Sequence, residues 1–324
     1  MPHQQPQAVD EEIRIGISTC LLGEEVRFDG GHKRSRFVTD QLGPFVSFVS
    51  VCPEVDIGLG IPRESIRLQR QGEETHLVAP KSGADHTRAM ARYAQRKVRE
   101  LASMDLCGYI LKKDSPSCGM ERVRVYEQTG GARRTGVGAF ARVLKEALPH
   151  LPLEEEGRLS DARLRENFLE RVFAYRRLRT LFASRWRSGD LVRFHTAEKL
   201  LLLAHDPVSY RELGRIVANP RARSRKELVA EYSALFMHAL RRMATIRKHT
   251  NVLQHVQGYF KKCATAEDRR ELEAVIEDFR RELIPLVVPI TLVRHLVRHY
   301  DVEYLRGQTY LEPHPKELML RNHV

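Results

Sequence analysis

Up to residue 148 the chain switches between two hydrophobic periods, and from residue 161 it keeps only one. This change limits the fold more than any other feature. EEIRIGIST (11–19), FVSFVSVC (45–52) and LCGYILKK (106–113) are short β-branched or apolar runs. The second is nearly continuous in apolar residues, as a strand covered on both faces reads. Between the second and third runs, HTRAMARYAQRKVRELAS (86–103) places Ala, Met, Tyr, Val and Leu at steps of three and four, which predicts a helix. GVGAFARVLKEAL (136–148) is a glycine turn entering a further helix. Strands alternating with helices predict an α/β layered domain with a mostly parallel sheet. LPHLPLEEEGRLSD (148–161) carries prolines, an acid run and a glycine; it reads as a linker ending in an N-cap, Ser160 or Asp161. Beyond it, apolar stripes faced by Arg and Glu recur almost throughout, which predicts an all-α domain over 161–324.

Composition narrows the function classes. Hydrophobic residues make up 42% and charged residues 30% of the 324, enough for a sizeable core in a soluble chain. The apolar runs are too short to span a bilayer. The start, MPHQQPQAVDEE, has no apolar segment of the signal-peptide kind, so the expectation is a cytoplasmic protein with a disordered tail over 1–12. The net charge of +12 is uneven: residues 1–150 hold 22 Lys+Arg against 19 Asp+Glu, and the remainder hold 32 against 23. The basic C-terminal half reads either as solvated Arg-rich helix faces or as an attraction for RNA, DNA or a nucleotide.

Five cysteines, none in a CxxC pair, do not suit a secreted disulfide framework. Cys118, in KKDSPSCGM (112–120), has four readings: core thiol, nucleophile, half of a disulfide or metal ligand. Placement favours the last. Cys20 ends the first predicted strand, Cys52 ends the second, and Cys118 follows the third after a Ser-Pro-Ser turn. In an open parallel sheet, ligands bind outside the carboxyl ends of the strands, where residues distant in sequence meet. Cys107 starts a strand at the opposite edge, and Cys263 lies in the helical half; both are expected to be plain small apolar residues. Three converging thiols suit zinc if a fourth ligand is added, with His32 the candidate. They also suit an iron–sulfur cluster with one iron left open to substrate.

The neighbours add chemistry. Glu54 stands two residues after Cys52 and reads as a proton-moving carboxylate or as a surface loop acid. Ser115 and Ser117 flank Pro116 just before Cys118, beside Asp114, whose plainer reading is turn chemistry. RFDGGHKR (27–34), with Asp29, and IGLGIPRESIRL (57–68), with Arg63, are loops placed to border the same pocket; Asp29, Arg63 and Ser117 are the substrate-binding candidates. TGVGAF (135–140) puts exposed N–H groups at a helix start, where an anion or a carbonyl would sit.

ISTCLLG with RFDGGHK, then VCPE, then SPSCG, in this order, resemble the signature of the 2-thiouracil desulfurase (TudS-type) family. The resemblance implies a Rossmann-like domain over 13–150. It implies a 4Fe–4S cluster on Cys20, Cys52 and Cys118, with the fourth iron free to take the sulfur of a thiolated base. By motif it assigns catalytic roles to Glu54 and Ser115. FHTAEKLLLLAHDP, LQHVQGYFKK, PITLVRHLVR and EYLRGQTYLEPHPKELMLRNHV resemble the YbgA-like helical domain, which implies a fusion joined by a linker at 151–160. VDIGLGIPRESIRL and GVGAFA depart from the stand-alone desulfurases around the expected pocket. The implied reaction turns 2-thiouracil and water into uracil and hydrogen sulfide. The competing readings are an RNA-associated thio-base enzyme, with the basic helical half holding RNA, and a non-catalytic cluster-bearing sensor or scaffold.

Overall fold

A computed structural model describes residues 12–127 and 130–323. The expected disordered tail lies outside the described residues as far as residue 11. The chain divides into two compact units between Ser160 and Asp161.

The first unit contains, in order, β1 (Arg14–Ser18), β2 (Ser47–Val51), α1 (Pro53–Asp56), β3 (Arg67–Gln71), β4 (Glu74–Val78), α2 (Thr87–Ala102), β5 (Leu106–Leu111), β6 (Val123–Tyr126), β7 (Ala132–Gly136), α3 (Ala139–Ala147) and β8 (Leu153–Glu155). Its main sheet has the order β2-β1-β5-β8 and is parallel throughout. All six residues of β5 are buried, which explains its unbroken apolar run. Gly16 faces Tyr109 across the β1–β5 ladder, and any Cβ there would clash with the Tyr109 ring. The tyrosine fills the space that a side chain on β1 would need, so the strand is thinned at one point to let a fully buried ring pack.

Two features depart from expectation. The segment read as a linker contributes β8, which pairs with β5 at Tyr109↔Leu153 and Leu111↔Glu155. Its prolines and acids masked a strand of only three residues, too short to show a period. A second sheet, β4-β3-β6-β7, was not foreseen. The strand β3, RLQRQ, has a single apolar residue, Leu68, so it offers no hydrophobic run to read.

The second unit is helical, as its period predicts: α4 (Ala162–Ala183), α5 (Ser188–His205), α6 (Pro207–Ala218), α7 (Arg225–Arg241), α8 (Ile246–Gln257), α9 (Ala266–Arg280) and α10 (Val287–His299). Asp161 is the N-cap of α4; its Oδ1 accepts the N–H groups of Arg163 at 2.9 Å and Leu164 at 3.0 Å. Ser224 and Glu227 form a reciprocal capping box on α7. The core gathers Leu200, Tyr232, Phe236, Leu253, Phe260 and Val293, all fully buried. Among the described residues, no helix is long and apolar enough to cross a membrane.

Candidate active site

Register decides which strand ends meet. The ladder from Arg14↔Ser47 to Ser18↔Val51 brings β1 and β2 to a level edge, and Ile17↔Ile110 brings β5 to the same edge. Cys20 lies in the tight turn that follows β1, and Cys52 is the N-cap residue of α1 immediately after β2. Cys118 follows β5 by way of the Ser-Pro-Ser turn. All three line one cavity of about 420 Å³ at the carboxyl edge, with Glu54, Arg63 and Ser115. That volume lies within the ~300–1,000 Å³ range of small-molecule sites. Cys107 is fully buried in β5 and Cys263 is exposed in the helical unit; neither lines this cavity.

The thiols sit in a setting that opposes free thiolates. Burial pushes Cys20 up to about 11; Cys52 adds to this, while Lys112 and Arg27 counter it. Burial also raises Cys52. Cys118 is raised furthest, by burial, against a hydrogen bond from Ser18. A resident cysteine nucleophile needs the opposite shift, so the nucleophile reading of Cys118 loses ground. A thiol of this kind becomes a thiolate when a cation replaces its proton.

Among the described residues, no three His, Cys, Asp or Glu side chains are gathered as a single metal ion would need. His32 does not join the thiols. It is exposed, and its Nδ1 accepts the Arg34 N–H at 3.2 Å, so the zinc reading loses its fourth ligand. Three cysteines from separate strand ends on one cavity are, by ligand type, a donor set that an iron–sulfur cluster uses.

Glu54 is held from two sides. Arg63 donates from Nε (3.1 Å) and Nη2 (2.8 Å) to its Oε2, and Ser117 donates from Oγ (2.9 Å) to its Oε1. The Arg63 side chain is 5% exposed and that of Glu54 15%, so the pair is largely withdrawn from water. Arg63 spends a third donor, Nη1, on the Gly60 carbonyl at 3.0 Å. Arg63 and Ser117, substrate-binding candidates from the sequence, both hold this carboxylate, and Arg63 also lines the cavity. Charge-assisted bonds of this kind fix orientation as well as charge.

Ser115 lines the cavity and also builds it. Its Oγ accepts the N–H groups of Ser117 at 3.2 Å and Cys118 at 3.1 Å, while its own hydrogen stays available to donate. Asp114, at φ 59°, starts this turn and pairs with Arg134 at 3.1 Å. Asp29 does not reach the cavity lining: it accepts from Gly31 N at 3.2 Å and faces Arg27 at 3.3 Å, which shapes the loop. The glycine turn before α3 serves the protein rather than a ligand. Gly138 N donates to Gly119 O (2.8 Å), Ala139 N to Pro116 O (2.9 Å) and Phe140 N to Ser117 O (2.9 Å).

Sequence reasoning passed over Lys112 and Phe28, which also line the cavity. Lys112 pairs with Glu156 at 2.6 Å, and its backbone N–H donates to Ser18 Oγ at 3.0 Å. The Lys-Lys pair immediately before the Asp-Ser-Pro turn was the available signal.

Comparison with known proteins gives two matches to family models. Residues 15–156 match the model described as 2-thiouracil desulfurase, and residues 199–315 match one described as a protein of unknown function, DUF1722. The chain is 34% identical over 161 residues to the Escherichia coli protein named "Uncharacterized protein YbgA", covering 49% of this chain and 95% of that one. It is 32% identical over 139 residues to "Uncharacterized protein YbbK" of Bacillus subtilis, covering 41% of this chain and 90% of that one. A solved structure described as the 4Fe–4S-dependent thiouracil desulfidase TudS is 33% identical, with a TM-score of 0.39, and the match covers 46% of this chain and 94% of that chain. The chain therefore belongs to the 2-thiouracil desulfurase family through its first unit, with a YbgA-like DUF1722 domain fused behind it.

Proposed function

We propose that the first unit removes sulfur from a thiolated nucleobase by net hydrolysis, 2-thiouracil and water giving uracil and hydrogen sulfide. The observation that carries this reading is one cavity lined by thiols from three strand ends and by a carboxylate aimed by Arg63 and Ser117. Cys20, Cys52 and Cys118 would hold a 4Fe–4S cluster. When bound, the cluster supplies an iron that none of these cysteines ligates, a soft acceptor suited to the sulfur of a C=S group.

The chain's own residues do the rest. Glu54 takes a proton from the water that attacks the ring carbon and returns it to the departing sulfur; the second hydrogen of that water leaves the new C–OH as C=O forms and passes by way of the same carboxylate to complete hydrogen sulfide. Arg63 offsets the charge of that carboxylate, and Ser117 fixes its plane. The Ser115 hydroxyl donates to a ring heteroatom or to the water. Val26, Phe28 and Ile66 give the cavity an apolar side for the flat base and limit the entry of bulk water. No electrons are gained or lost overall, so none of these groups needs a redox partner.

The test is anaerobic purification, quantitation of iron and sulfide, and a sulfide-release assay with thiolated bases and nucleosides. Glu54→Gln should keep its iron and lose turnover by about 10²-fold or more. A sensor or scaffold would be indifferent to that change. Full turnover in a Cys118→Ala variant would sink the reading.

A further inference from the structure

Cys52 and Glu54 share one short element. The helix α1 runs only from Pro53 to Asp56, with Cys52 as its N-cap residue and Glu54 in its single turn. One turn fixes too many backbone angles for too few hydrogen bonds to stand alone in water, so tertiary contacts must hold it. Its own bonds are Asp56 N to Cys52 O at 3.0 Å, Ile57 N to Pro53 O at 3.2 Å and Leu59 N to Glu54 O at 3.2 Å. They close the turn but leave open how it is rotated about its axis.

Side chains set that rotation. Pro53 is buried. Glu54 is gripped by Arg63 and Ser117. Asp56 is gripped from elsewhere: its Oδ2 accepts the hydroxyl of Tyr93, on α2. Residues two apart on a helix leave its axis about 200° apart, so the two grips act on different sides of the turn. Turning α1 would carry Glu54 and the start of the helix, where Cys52 stands, away from their places, and it would have to break one grip or the other.

Tyr93 is built to hold still. It is 6% exposed, and its ring lies 6.3 Å from that of Phe140 on α3. Phe140 N in turn donates to Ser117 O at 2.9 Å, so the support behind Tyr93 is continuous with the Cys118 turn. Burial and the nearby Asp56 push the Tyr93 hydroxyl up, so it keeps its hydrogen and donates. Tyr93 does not line the cavity, and the desulfuration chemistry makes no direct use of it.

We propose that Tyr93 is a positioning residue: through Asp56 it fixes the rotation of α1 and so places Glu54 and Cys52 at the cavity. The part that concerns turnover rests on the desulfurase reading. Tyr93→Phe removes one oxygen and keeps the ring. In full-length protein prepared anaerobically, Tyr93→Phe and Asp56→Ala should each retain iron and lower kcat by about tenfold or more, with KM within about twofold of the unaltered protein. Asp56→Asn keeps an oxygen that can accept the Tyr93 hydroxyl, and it should stay within about threefold of the unaltered rate. A second measurement needs neither iron nor substrate. In the full-length chain before cluster loading, Cys52 should be alkylated about fivefold faster in Tyr93→Phe, as read by mass spectrometry, with Cys118 unchanged.

The proposal is overturned by a normal kcat in Tyr93→Phe, by Asp56→Asn as slow as Asp56→Ala, or by an unchanged rate of Cys52 alkylation. It is also overturned if KM rises as far as kcat falls, which a general loosening of the domain would give. An unaltered protein that loads iron yet releases no sulfide from any thiolated base would overturn the desulfurase reading instead, and the alkylation rates would then decide the role of Tyr93.

Discussion

Replacing Gly138 by Ala adds one methyl group and tests how the Cys118 turn is built. The backbone at Gly138 has φ −57°, which any residue adopts, so the effect is steric. A Cβ there would lie 2.5 Å from Ser117 O, 2.6 Å from Ser117 C and 2.8 Å from Cys118 N. These are backbone atoms and cannot rotate aside. The start of α3 must move away from the Ser-Pro-Ser-Cys turn, which weakens the bonds Gly138 N to Gly119 O, Ala139 N to Pro116 O and Phe140 N to Ser117 O. Overpacking costs about 1–3 kcal/mol, and each backbone bond lost adds about 1 kcal/mol, so with one to three bonds lost the total is about 2–6 kcal/mol. For a unit of this size that lowers the melting temperature by at least about 5 °C. Because the turn carries Cys118, iron content should fall as well. Gly189→Ala is the control: the same methyl meets nothing nearer than Arg193 Nη1 at 3.6 Å, in a helix where Ala is favoured. Thermal melting with iron quantitation reads both variants. Normal stability and normal iron in Gly138→Ala would refute the steric argument.

Three further outcomes follow from the same structure. Ser117→Ala removes the fully buried hydroxyl that donates to Glu54 at 2.9 Å; it should cost about 1.5–3 kcal/mol and lower turnover while iron is retained, and an unchanged melting curve with unchanged kinetics would contradict the aiming role. Cys107→Ser and Cys263→Ala should both leave the iron content intact, whereas Cys20→Ala, Cys52→Ala and Cys118→Ala should each abolish it, as read by metal analysis of anaerobically prepared protein. Burial lowers His249 to about 3, so the folded protein holds it neutral while the unfolded chain protonates it below about 6.5. Its contribution is present above that value and is lost on acidification, by about 2 kcal/mol between pH 7 and pH 5. Denaturation across this range should be flatter in His249→Gln, and parallel curves would refute the assignment.

The placement of the three cysteines was legible because strands end where apolar runs end: Cys20 and Cys52 stand just past such ends, and Cys118 follows a third through the Ser-Pro-Ser turn. Glu54 was legible as a neighbour of Cys52. Its partners were not: Ser117 lies 63 residues away, and Arg63 reaches back nine residues through the loop that Gly58 and Gly60 turn with positive φ. Ser117 and Arg63 were visible as polar groups near the site, but nothing local shows that both hold the Glu54 carboxylate. The β8 strand and the second sheet were hidden for a different reason: three residues, or five with one apolar side chain, carry no period to read.

The sequence by itself determined the division into an α/β half and a helical half, the order of the cysteine-bearing segments, and the caps that start the helices. These follow from short-range physics: side-chain period, turn chemistry and the orphan N–H groups of a helix start. Only the tertiary structure decided that β1, β2 and β5 end level, that His32 stays apart from the thiols, and that the glycine turn before α3 feeds the Cys118 turn rather than a ligand. It also decided that Glu166 and Glu170, one turn apart on α4, share the buried Arg321 from the far end of the chain. Those outcomes depend on register and packing between segments far apart in the chain, where one residue of slip would send every side chain of a strand to the other face.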